Sequence, residues 1–92
     1  MVSISYFDKT VDKAKTLILN KRDKNYLAAL YKQVKEGDAP IDNSNITDPD
    51  ELDIWNEWNK LRGSYLEIIM NKYCDYITLI INWQQKNIYK YD

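Results

Sequence analysis

The chain has 92 residues, 45% of them apolar, with 13 basic and 14 acidic side chains and no histidine. That length predicts one domain over residues 1–92 with a modest core. Without histidine the commonest general base is missing, and a single cysteine, Cys74, excludes an internal disulfide.

The near-neutral total hides an asymmetry. Residues 9–35 carry eight Lys/Arg against two Asp, a net of +6, and residues 36–57 carry eight Asp/Glu and no base, a net of −8. The first half is suited to attract an anion. The chain does not open on a secretory pattern, and its longest apolar run near the end, Ile77–Ile81, is too short to span a bilayer. A cytoplasmic protein without an integral membrane segment is expected.

Ser5 is the expected N-cap of a first helix, with Asp8 in its first turn. Phe7, Val11, Ala14 and Ile18 form its apolar stripe, beside Thr10 and Leu17, and it ends by Asn20. The second helix runs from about Asp23 to Glu36. Leu27, Leu30, Tyr31 and Val34 make its inner face, and the small Ala28-Ala29 pair leaves room for a neighbour or a ligand. Lys32 and Lys35 sit in its last turn, and Gly37 is the expected left-handed cap. Residues 38–47 read as a loop anchored by Ile41 and Ile46.

The third helix starts at Asp48 as N-cap, Pro49 at the first position and Glu51 completing a capping box. Trp55, Trp58 and Leu61 are its buried positions, and Gly63 ends it. Ser64-Tyr65-Leu66-Glu67 is a second capping box. Leu66, Ile69, Met70, Tyr73, Ile77, Ile80 and Ile81 then form the inner stripe of a fourth helix. No stretch alternates with period two, so the fold class is all-α with four helices.

Chemistry-bearing clusters are scarce. Cys74 lies one step from the inner stripe and reads as a small core residue. Asp48, Asp50, Glu51 and Asp53 lack the spacing and glycine of a calcium loop, and helix-start electrostatics accounts for them. No metal site, catalytic residue or nucleic-acid motif is expected. The fourth helix carries a second apolar stripe, Tyr65, Ile68, Tyr76, Leu79 and Trp83, interrupted by Lys72. It is wider than a core needs and is the candidate surface for a homodimer, a protein partner or a membrane surface.

Four segments, in order, carry a resemblance. They are Tyr31-Lys32-Gln33, Gly37-Asp38, Trp55-Asn56-Glu57-Trp58-Asn59-Lys60-Leu61-Arg62-Gly63 and Met70-Asn71-Lys72-Tyr73. With these the chain resembles the acyl-CoA-binding protein family, without a gap from Asp23 to Ile77. The resemblance implies a four-helix bundle that binds acyl-CoA thioesters and carries or buffers them, with no cofactor and no covalent step. It implies that Tyr31 packs on the adenine, that Lys32 meets the ribose phosphate and that Tyr73 lies near the nucleotide. Phe7, Val11 and Lys15 stand where the family's first helix lines the ligand bowl. Two positions depart from the pattern: Ala28 stands where the family has tyrosine, and Ile54 where it has lysine. Each lost phosphate contact costs on the order of 1.5–3 kcal/mol. Binding of medium- or long-chain acyl-CoA is therefore expected to be retained but weakened ~100-fold. The alternative is a protein-interaction module that keeps the fold with an attenuated ligand site.

Overall fold

A computed structural model describes residues 2–90, with side chains from Val2 to Lys86. Its elements are α1 (Ile4–Ala14), α2 (Lys21–Glu36), α3 (Pro49–Asn59) and α4 (Leu66–Lys90). No strand occurs among the described residues. No helix among them is long and apolar enough to cross a membrane.

Capping chemistry sets the helix starts, in two cases earlier than expected. Ser3 rather than Ser5 caps α1, its hydroxyl accepting from the Tyr6 N–H at 3.1 Å. Asn20 caps α2 by accepting from the Asp23 N–H at 2.8 Å, so Lys21–Lys24 belong to the helix and not to a connection. Asp48 caps α3 as expected, though through the Asp50 N–H at 3.3 Å. Helix α4 starts at Leu66, where the Tyr65 carbonyl accepts from the Ile69 N–H at 3.2 Å.

α1 also stops early, at Ala14. The Thr16 hydroxyl donates to the Lys13 carbonyl at 2.7 Å, and the next bonds tighten to i→i+3 spacing. The helical stripe therefore ends before Ile18, which is 90% exposed. Ile41 is 88% exposed and anchors nothing; Ala39, at 2%, is the buried residue of that loop. Gly37 has the positive φ expected, +83°, but its ψ of −151° makes it an extended turn-out rather than a left-handed cap.

Helices α2 and α3 lie side by side and run parallel. Lys21 and Asp50 pair at their starts, and the Trp58 indole donates to the Gly37 carbonyl at their ends. α4 packs across α2 in the opposite sense, and α1 packs on α4. Phe7, Leu30, Ile69 and Ile77 are the fully buried large side chains at the junction. Each contributes roughly 1.5–3 kcal/mol through burial. Cys74 is buried as expected, its thiol 3.5 Å from the Thr10 hydroxyl.

The second stripe of α4 is not continuous. Tyr76 turns inward: its hydroxyl donates to Asp23, and its ring meets Tyr26 edge-on at 4.9 Å. Ile68 is thereby separated from Leu79 and Trp83, all three being exposed. Leu66, expected inside, is half exposed.

Candidate ligand-binding site

No Cα of α1 comes within 8 Å of a Cα of α2. The space between them is a cleft of about 590 Å³, within the usual range for small-molecule sites. One end is closed by the Asp8–Lys35 pair at 3.1 Å and by Phe7, whose ring stacks on Tyr31 at 6.3 Å. At the other end the 15–20 connection contributes Leu17 and Leu19.

Tyr31, Lys32, Tyr73, Val11, Lys15 and Ala28 all line this cleft. Tyr31 is 39% exposed, so its ring is available to a flat partner although periodicity placed it on the inner face. Tyr73 forms part of the wall, its ring edge-on to Phe7 at 5.1 Å. Burial, with smaller effects from Cys74 and Tyr31, pushes the Tyr73 phenol up to about 12. Lys32 lies 5.3 Å over the Trp58 ring and 3.4 Å from the Glu36 carboxylate.

Two candidate residues lie elsewhere. Phe7 is wholly buried and touches the cleft only through the tyrosines it supports. Ile54 lines an adjoining hollow of about 330 Å³ with Glu51, Trp55 and Trp58. Lys32 borders both spaces, so the two form one surface divided by its side chain.

Lys24 is the lining residue that sequence reasoning missed. Once α2 is extended back to Lys21, positions 24, 28 and 31 fall on one face by the 3–4 rule. The cleft thus holds three ammonium groups, Lys15, Lys24 and Lys32, against one carboxylate, Glu36, above an aliphatic wall of Val11, Leu17, Leu19 and Leu27. Such a lining accommodates a flat ring, several phosphate charges and a hydrocarbon chain. A larger depression of about 840 Å³ beside α2 and α3 contains no aliphatic residue, and its Lys21, Arg22 and Lys60 are matched by Asp53 and Glu57. It offers no seat for an alkyl chain. Among the described residues no group of acidic, thiol or imidazole side chains is placed to hold a metal ion.

The conserved-looking motif residues hold the end of α2 in place. Asp38 accepts from the Gln33 amide and from the Gly63 N–H, both at 2.9 Å. The Trp55 indole donates to the Pro40 carbonyl at 2.9 Å, and Arg62 donates to the Ala39 carbonyl. With Trp58 on Gly37, three successive turns of otherwise unpaired carbonyls after α2 are satisfied from α3 and its exit. The Gly63 N–H, the Gln33 amide and then Arg62 hold the Asp38 carboxyl below its ordinary value of 3.8. A depressed carboxyl stabilises the fold above its unfolded value and loses that effect as pH falls through its folded value. Asp38→Ala is therefore expected to lower the urea midpoint at neutral pH. The gap from the parent protein should close as pH falls below 3.8. A gap independent of pH would show that the carboxylate charge is not what fastens the clasp.

A comparison with solved structures found no match. The sequence model described as acyl CoA binding protein matches residues 5–77, from the first turn of α1 into α4. That span contains every residue of the clasp and of the cleft lining. The chain belongs to the acyl-CoA-binding protein family.

Proposed function

We propose that this chain binds medium- and long-chain acyl-CoA thioesters non-covalently in the α1–α2 cleft and carries or buffers them inside the cell. The observation that carries this reading is the convergence, in one cleft, of the exposed Tyr31 ring, three lysines and an aliphatic wall. The adenine stacks on Tyr31, Lys32 and its neighbours take phosphate charge, and the acyl chain lies along Val11, Leu17, Leu19 and Leu27. Roughly 0.8 kcal/mol per buried methylene favours longer chains up to the length of the groove. No catalytic step belongs to this reading.

Calorimetric titration with a long-chain acyl-CoA tests it. Affinity in the ~μM range is expected, because Ala28 and Ile54 each forgo a polar contact. No heat at tens of ~μM protein would overturn carriage. The structure around Ile54 favours a second reading, an interaction module with an attenuated site, because that hollow pairs an aliphatic side chain with the acidic Glu51. Ile54→Lys places a second ammonium beside Lys32 and is expected to tighten acyl-CoA binding about tenfold. Unchanged affinity in this variant would favour the interaction module.

A further inference from the structure

The cations of the cleft are not equivalent. Lys15 lies 3.4 Å from Asp12, and Lys32 lies 3.4 Å from Glu36. Lys35, beyond the closed end, is taken by Asp8. Among the described residues, Lys24 is the cleft lysine with no carboxylate within 4.0 Å. Its charge is uncompensated within the protein.

Its position along α2 is also informative. Lys24 precedes Ala28 by one turn and Tyr31 by two, on the same helix face, which places it about 10.5 Å from Tyr31 along the axis. A base stacked on Tyr31 and a phosphate at Lys24 are separated by the span that a ribose and a diphosphate bridge. Ala28 sits between them on the cleft wall, and its methyl group leaves that path open.

We propose that Lys24 is a phosphate-binding residue of this cleft and sets its preference for ligands with a charged nucleotide head. This inference rests on the acyl-CoA reading and adds a residue that reading does not require. It gives the headgroup an anchor one turn earlier on α2 than Ala28, offsetting part of what Ala28 and Ile54 forgo. Aliphatic Leu17, Leu19 and Leu27 line the cleft with Lys24, so the ammonium works at an apolar margin, where charge-assisted contacts are stronger than in bulk water.

The test is a titration of the full chain and its Lys24→Ala and Lys24→Arg variants with three probes: palmitoyl-CoA, unacylated CoA, and S-palmitoyl-pantetheine, which has the thioester and chain but no phosphate. Lys24→Ala is expected to weaken palmitoyl-CoA and CoA about tenfold and to flatten the salt dependence of both. Palmitoyl-pantetheine binding should not change, and Lys24→Arg should restore most of the loss. Lys24 is exposed, so the variants should keep the parent helicity. Equal loss with the phosphate-free probe would overturn the proposal, since Lys24 would then be packing on the chain or supporting the wall. Unchanged palmitoyl-CoA binding in Lys24→Ala would overturn it as well. If the parent protein binds none of the three, the carriage reading itself fails and takes this one with it.

Discussion

Replacing Tyr31 with alanine is expected to weaken acyl-CoA binding by about 5- to 150-fold while leaving the protein folded. The range is what one base–aromatic stack is worth, ~1–3 kcal/mol, converted to affinity. Tyr31 is the most exposed aromatic ring lining the cleft, and its other side rests on Phe7 and faces Lys35 at 5.8 Å. Removing it deletes the platform but opens no interior cavity. The unfolding midpoint should shift by far less than for a core truncation, because only the offset stack on Phe7 is lost, about 0.5–1.5 kcal/mol. Titration and urea unfolding on one preparation read the two effects separately. Full affinity in this variant would place the adenine somewhere other than Tyr31.

Phe7→Ala is expected to show the opposite pattern. Phe7 has no exposed surface and lies between the rings of Tyr31 and Tyr73. Deleting a buried phenyl ring costs about 3–5 kcal/mol. A fold of this size has roughly 5–15 kcal/mol in total, so much of its stability would go. Urea denaturation is the measurement, and a loss under about 1 kcal/mol would show that the neighbouring rings collapse to fill the space. Binding should fall too, since both cleft tyrosines lose the ring that sets their orientation, and that fall should track the loss of structure. The contrast separates a residue that contacts ligand from one that supports the contact. The resemblance alone had placed both in the ligand bowl.

The sequence was most legible where local chemistry and tertiary packing agree. Asp48-Pro49 marks the start of α3 because a capping carboxylate followed by proline has few other uses. The inner stripe of α4, Ile69, Met70, Tyr73 and Ile77, is buried as its period requires. It was least legible at the ends of α1. Ser3 and Ser5 are equivalent as caps by composition, and only the backbone shows which accepts from Tyr6. Ile18 and Ile41 are as apolar as any core residue, but both lie outside helices, where the period no longer predicts direction.

The same misplacement hid part of the site. Asn20, read as the end of one helix, is the cap of the next, and the shift conceals Lys24 on the face shared with Ala28 and Tyr31. The clasp was hidden for a different reason. Gln33 is 7% exposed and Asp38 is polar, and no hydropathy pattern announces that the two bond each other across the end of a helix. Ala39, buried at 2%, is too small to register as an anchor. The motif match drew attention to these positions, but only the geometry shows that several of them serve the scaffold rather than the ligand.

The separation of α1 from α2 gives the molecule a seam that its own backbone does not stitch. One wall hangs from α4 and the other is braced by α3, with a solvent-exposed ion pair spanning the closed end. A guest that touches both walls becomes a strut, and its cohesion is added to that of the protein in proportion to the logarithm of its concentration. Retention of cargo and rigidity of the first helix are then one quantity seen from two sides, so the loaded molecule is the sturdier one and the empty molecule the one most readily opened.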